Sequence, residues 1–401
     1  MRRATRWGVL ATLFAGIVAI AALAGSTGGH AASAAKPVVI GWAFDKSGQM
    51  APFDNPALAA AKIRIKKLNA KGGAAGHKFV IKTCDTQNNN ANKAKSCALS
   101  LLGQGASILF TTCDVDFATP AAQEAIKRGK LAISTCIGTD QMGPKRFGKA
   151  GRLAFSFGNV AQDEGSAMAE YAIKRGWKTA GLATNTLLVY FKNVVQAFDK
   201  RYRQLGGKVV TRESYATGAN NVNTAVSRLN SHKAAVYVTS TAFGELPAFV
   251  SGLRSLHNNT PILNSWAGDG TYWDTQNPKV TNYYCVTFAS VFGDDPSAAV
   301  RKMIASLKAA GSTPGTGGFL GGADAIDGVY AAIKRAHGSL KGSVLAAQLE
   351  HFNRVPVLGS RVSFSKKWQT VFGRQYRVIK TQANKAKRVG LVTAKVLPKI
   401  H

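Results

Sequence analysis

Acidic side chains are scarce in this chain. Twenty Asp and Glu stand against 52 Lys and Arg in 401 residues, a formal net charge of +32. Such an excess invites a nucleic-acid reading, which the rest of the sequence does not support. The basic residues come in ones and twos, as at Lys62, Arg64, Lys66 and Lys67, and neither an RNA-recognition aromatic motif nor a helix-turn-helix pattern appears. Cysteine is sparse as well: five residues, with no C-x-x-C and no His/Cys cluster at zinc spacing, so no metal site is expected. Catalytic signatures are missing too. There is no G-x-S-x-G elbow, no H-E-x-x-H, no phosphate loop, and no G-x-G-x-x-G after the first strand. The His residues are scattered, and none pairs by motif with a Ser or Cys nucleophile. No catalytic residue and no cofactor are therefore assigned, and an exported enzyme stands only as a remote alternative.

What is present is a chain able to bury a core: 46% hydrophobic and 18% charged, long enough for two or three domains. Arg2, Arg3 and Arg6 precede an acid-free apolar run starting at Trp7, and Ala32-Ser33-Ala34 follows. A charged start, an apolar stretch and an A-x-A site read as a secretory signal peptide over residues 1–35, with an uncleaved membrane anchor as the alternative. No Cys lies near the cleavage site, which argues against a lipoprotein anchor. No other stretch approaches the ~20 apolar residues needed to span a bilayer. The expected location is the periplasm or the outer side of the cell envelope. The positive surface would then face an anionic wall or membrane, with an acidic habitat as the alternative reason for so few carboxylates.

From Lys36 onward, short β-rich runs alternate with helical stretches. A strand at 38–41 precedes a helix at 56–69 whose Leu58, Ala61, Ile65 and Leu68 share one face. Strands at 79–83, 108–111 and 131–134 continue the first series. A second series runs from a helix at 162–175 to a strand at 261–263. Strands alternating with helices imply parallel sheets covered on both faces. Two such series imply an α/β protein of two doubly wound, Rossmann-like lobes.

This order of elements resembles the periplasmic leucine/isoleucine/valine-type solute-binding proteins, over essentially all of the mature chain. The sharpest marker is Asn69-Ala70-Lys71-Gly72-Gly73-Ala74-Ala75-Gly76 between the first helix and second strand. Ser47-Gly48, Cys84-Asp85-Thr86 and Ala118-Thr119-Pro120 support it. The resemblance implies two lobes joined by three crossovers, near 155–157, 287–290 and 359–363, that close on ligand like a hinged clamp. The lobes are expected at 36–156 plus 289–361 and at 157–288 plus 362–401. A small amino-acid-like ligand, an ABC-transporter permease as partner and a monomeric state follow from the same likeness. A ligand sensor serving a signalling partner is the alternative role for such a clamp.

In open α/β sheets ligands bind beyond the carboxyl ends of the strands, so the loops leaving each strand hold the candidates. By resemblance, Phe53 stands at the aromatic position that covers the ligand, and Cys136 and Gly138 stand where relatives contact its α-amino and α-carboxylate ends. Gly138 lacks a hydroxyl, so the usual side-chain contact is either absent or moved to Thr139. Asp114 and Asp116 replace Ser or Thr of the relatives; a carboxylate there favours a cationic or amine-bearing ligand, or else ion-pairs with the many surface Lys. Tyr190 matches a Tyr after the second-lobe strand, although the Gly that usually follows is Phe191. Phe243 and Trp266 are aromatic candidates for the second-lobe wall, and Asp269 is an acid in the same loop. Thr119-Pro120 reads as a helix start, with Thr as the cap and Pro in the first helical position. In an exported chain the cysteines are expected as disulfides. The expected pairs are Cys84 with Cys97 and Cys113 with Cys136, leaving Cys285 free, and Cys84 with Cys113 remains open.

Overall fold

The computed structural model describes residues 35–400, so the expected signal peptide lies outside the described residues except for Ala35. Among the described residues, no helix is long and apolar enough to cross a membrane. The first series comprises β1 (Val38–Phe44), α1 (Ala51–Asn69), β2 (Phe79–Asp85), α2 (Ala91–Gly103), β3 (Ile108–Thr111), α3 (Val115–Lys127), β4 (Leu131–Ser134) and β5 (Ala154–Asn159). The second comprises α4 (Ala161–Lys174), β6 (Thr179–Asn185), α5 (Val189–Gln204), β7 (Lys208–Tyr215), α6 (Ala219–Asn230), β8 (Val236–Ser240), α7 (Glu245–Ser255), β9 (Ile262–Asn264) and β10 (Tyr283–Thr287). The chain then runs through α8 (Ala298–Ala309), α9 (Phe319–Arg335), α10 (Gly342–Glu350), β11 (Val355–Pro356), β12 (Arg361–Val362), β13 (Thr370–Val371), β14 (Tyr376–Gln382) and β15 (Lys385–Val392).

Two sheets result, ordered β13-β5-β4-β3-β1-β2 and β15-β14-β10-β9-β8-β6-β7, which form the two lobes. All pairs within them are parallel except those of β14 with β10 and β15. The strands β3 and β4, apolar but for Thr111 and Ser134 at their ends, are buried at every position, as expected of parallel strands covered on both faces. The edge strand β15 alternates exposed and half-buried residues. Lys385 and Lys387 lie on its exposed side, where charge discourages edge-to-edge pairing.

The helix containing Thr119-Pro120 starts earlier than its sequence suggests. Asp114 is the cap of α3, its carboxylate accepting from the backbone N–H of Asp116 and Phe117 at 2.8 and 3.4 Å. Thr119 lies inside the helix and donates its hydroxyl to the Val115 carbonyl. A carboxylate accepting two N–H groups is the stronger start signal, and Pro120 is carried within the second turn.

The chain passes between the sheets three times: after β5, after β10, and between β13 and β14. The third passage differs from expectation. Thr370 and Val371 still pair with β5 in the first sheet, so the first lobe extends beyond residue 361 and the chain leaves it at residues 372–375. One buried cluster ties the passages together. Arg374 donates to Asp324 at 2.8 Å and to the Phe157 carbonyl at 3.0 Å, and its guanidinium lies 5.1 Å above the Phe288 ring. Asp163, just past the first passage, accepts from the Gly373 N–H and the Tyr376 hydroxyl. Both Arg374 and Asp324 are buried. Removing one partner of such a pair leaves an uncompensated interior charge. Arg374→Met is therefore expected to cost about 3–5 kcal/mol in urea denaturation. Adding Asp324→Asn is expected to recover part of that loss.

Candidate functional site

The carboxyl ends of the two sheets face each other, and loops from both meet there. Met50, Phe53, Cys113 and Asp114 from the first lobe line one cavity with Tyr190, Phe191, Phe243 and Trp266 from the second. Leu188, Ala242 and Ala267 complete its wall. The space enclosed is about 20 Å³, room for about one water. Aromatic rings fill the rest. Phe53, in the first turn of α1, meets Trp266 edge-on across the lobes with centroids 5.2 Å apart. Trp266 lies 6.2 Å from Tyr190, and Phe191 lies 6.2 Å from Phe243. Phe243 holds a φ of 55°, a left-handed conformation that a bulky residue adopts at a local cost.

Five of the ten expected site residues thus come together: Phe53, Asp114, Tyr190, Phe243 and Trp266. The other five do not line this cavity, each for a visible reason. Asp116 turns outward to Arg146 at 2.6 Å and accepts from the Val189 N–H across the lobes at 3.2 Å. Thr139 donates its hydroxyl to Asn193 Oδ1 at 2.9 Å, also across the lobes, and takes no place beside Gly138. Gly138 is covered by Tyr190: a β-carbon there would sit 2.5 Å from Tyr190 Cε2, so the missing side chain makes room for that ring. Cys136 is buried behind the wall in a disulfide to Cys113. Asp269 accepts from Thr287, Gly270 and Gly317 and braces three loops.

The two disulfides are Cys84–Cys97 and Cys113–Cys136, with Cys285 free and buried, and the Cys84–Cys113 alternative falls. Asp54 lies close to Cys113 and Cys136, within 4.8 Å atom to atom. Both sulfurs are consumed in the bridge, so this group does not fit a metal ion. Asp54 instead accepts from the Asp45 N–H, the Thr112 hydroxyl and the Cys113 N–H, which fixes the first-lobe loops.

Missed residues lie beside expected ones: Met50, Leu188, Ala242 and Ala267 in the same loops, and Phe191 next to Tyr190 in the first turn of α5. The loops were identifiable from strand ends, but an apolar residue within a loop carries no signal for which way it turns.

The site holds more carboxyl than its surroundings can keep ionised. Burial pushes Asp114 from 3.8 up to about 7, with repulsion from Asp116 adding to it. Burial likewise lifts Asp54 to about 7 and Glu164 to about 8. Glu164 accepts from the Trp266 backbone N–H at 2.7 Å and the Tyr190 hydroxyl at 2.8 Å, so it orients both rings. The Trp266 indole N–H itself is buried without a partner. These raised values mean that the folded protein keeps protons which the unfolded chain releases near pH 4. The associated stability is complete below that pH and is lost as pH rises through about 7 to 8. The melting temperature at fixed ionic strength is expected to fall from pH 5 to pH 8.5. Asp114→Asn, which keeps the helix cap, is expected to flatten that slope.

Comparison with known proteins follows the same lines. Residues 37–386 match the family model described as periplasmic binding protein. A curated relative, the Leu/Ile/Val-binding protein homolog 3 of Brucella melitensis, is 24% identical over 335 residues, covering 81% of this chain and 86% of that protein. The branched-chain amino acid transporter substrate-binding protein LivJ of Streptococcus pneumoniae, solved with isoleucine, superposes with a TM-score of 0.75 at 18% identity. The match covers 89% of this chain and 99% of that one. A solute-binding protein of an ABC transporter from Rhodopseudomonas palustris, solved with 3,4-dihydroxybenzoic acid, gives a TM-score of 0.74 at 16% identity, over 90% of this chain and 99% of that one. With two facing α/β lobes and a family match over most of its length, this chain belongs to the periplasmic binding protein family, a family of binding proteins and not of enzymes.

Proposed function

We propose that the protein is an exported receptor that captures a small amino-acid-like solute between its lobes and delivers it to the permease of an ABC transporter, acting as a monomer. One observation carries this reading. A single cavity receives a buried carboxyl group from one lobe, Asp114, and an unpartnered indole N–H from the other, Trp266. An α-amino acid supplies a partner for each: its ammonium to Asp114 and its carboxylate to Trp266 Nε1. An ammonium ion also favours the ionised form of Asp114, relieving the cost that burial imposes on that carboxyl. The rings of Phe53, Tyr190, Phe191 and Phe243 suit an apolar or aromatic body. The ligand would act as a bridge that shifts the lobes toward the closed form. Asp116 to Val189 and Thr139 to Asn193 would latch that form. The relative named for Leu, Ile and Val, and the neighbour solved with isoleucine, support the amino-acid class.

A second reading is an aromatic acid without an amine. The aromatic wall favours it, as does the neighbour solved with 3,4-dihydroxybenzoic acid. Here Asp114 would remain protonated and donate to the ligand carboxylate, a role open to a carboxyl group with a raised pKa.

A thermal-shift panel of branched-chain and aromatic amino acids, their amides and hydroxybenzoates is expected to yield a stabilising ligand. Silence across the panel would remove both readings. For the ligand found, the pH profile of Kd separates them. An amine ligand is expected to bind more weakly as pH falls below about 7 and Asp114 takes up its proton, whereas an aromatic acid is expected to bind more tightly. In calorimetry, Phe53→Ala is expected to weaken binding about 10- to 100-fold, as for a buried aromatic anchor. Trp266→Phe is expected to affect acids more than the corresponding amides.

A further inference from the structure

A second and larger cavity, of about 680 Å³, lies where the chain crosses between the lobes. It is separate from the aromatic cleft and shares no residue with it. Its walls come from both sides of the crossing. Arg354, Ser360 and Arg361 follow α10, Ser297 caps α8, and Arg377 and Thr393 belong to or follow the last strands of the second sheet. No Asp or Glu lines it. Arg377 is neutralised by Asp295, which accepts two bonds from its guanidinium at 2.9 and 3.0 Å. Arg354 and Arg361 differ: among the described residues, neither has an acidic partner. Arg361 donates to the Arg354 backbone carbonyl at 3.1 Å, which holds the Arg361 guanidinium beside residue 354. The Ser360 hydroxyl oxygen is withdrawn from solvent and has no hydrogen-bond partner. The turn that carries it closes on itself through the Val357 N–H and the Ser360 carbonyl, at 3.0 Å.

We infer that this cavity is a binding site for a small, multiply charged anion of phosphate or polycarboxylate chemistry. Two uncompensated guanidinium groups supply forked donors that suit such oxygens. The hydroxyls of Ser297, Ser360, Ser363 and Thr393 supply neutral ones. The volume falls in the range of small-molecule sites and exceeds what a lone chloride needs. With only Phe372 as an aromatic wall residue, the site selects for charge and hydrogen bonding over apolar surface.

The test is isothermal titration of the protein with pyrophosphate and, separately, with citrate, each against sodium chloride at matched ionic strength. Saturable one-to-one binding by either supports the site, and the tighter probe identifies its chemistry. The double variant Arg354→Gln/Arg361→Gln is expected to weaken that binding at least about tenfold. Thr393→Glu places an acid in an exposed wall position and is expected to do the same, so the test survives a misfolded arginine variant. The control Lys200→Gln/Arg203→Gln removes two charges on α5 outside the cavity and is expected to leave binding unchanged. The inference fails if neither probe binds beyond the salt control. It fails equally if the α5 control loses as much binding as the cavity variants, since attraction to a cationic surface would then account for all of it.

Discussion

Desolvated carboxyl groups are the constraint on which this structure turns. Twelve of the twenty Asp and Glu side chains are buried, although acids are the rarer charge in this chain. A buried carboxyl must be paired, hydrogen-bonded or protonated, so each one dictates the position of its partners. Asp45 gathers the Gly48, Met50 and Asn88 N–H groups, and Asp54 links that loop to Thr112 and Cys113. Glu164 sets Tyr190 and Trp266, and Asp269 joins three second-lobe and crossing loops. Asp163, Asp295 and Asp324 hold the crossings through Tyr376, Arg377 and Arg374. Nearly all of these lie at the cleft or the hinge, where loops without regular hydrogen bonding need another source of order.

The same placement accounts for the charge. Among the described residues, only Arg254, Arg374 and Arg377 of the basic side chains are buried, so the acids are internal and the cations face outward. The excess positive charge at the surface therefore reflects where the few acids went as much as how many there are. Polar order inside and positive charge outside leave the cleft as an apolar, aromatic interface with one carboxyl and one free N–H. Its two halves are pressed together by ring contacts and cross-lobe bonds that are individually small. A closure held in this way is readily shifted by a ligand that contacts both sides.

Much of the fold was legible because hydrophobic periodicity is a local property. The alternation of apolar strands and amphipathic helices identified two doubly wound lobes, and the placement of Cys84, Cys97, Cys113 and Cys136 on neighbouring elements narrowed the disulfides to a favoured scheme with Cys84–Cys113 still open, which the structure resolves. The loops at the strand ends were legible for the same reason. Within those loops, large aromatics such as Phe53 and Trp266 stood out, whereas Leu188 and Ala242 did not. Thr119-Pro120 carries two weak local start signals, whereas the capping role of Asp114 depends on its carboxylate reaching the Asp116 and Phe117 N–H groups.

By itself, the sequence determined the order and type of the elements, the two-lobed class and the set of loops that could hold a site. Tertiary structure alone decided which residues face each other. It bonded Asp116 and Thr139 to Val189 and Asn193 across the lobes, laid Tyr190 over Gly138, and kept β13 in the first sheet beyond residue 361. The reason is physical: periodicity reports which side of an element is buried. The direction of a loop side chain depends on the competing partners supplied by distant segments, and those partners meet only when the lobes do.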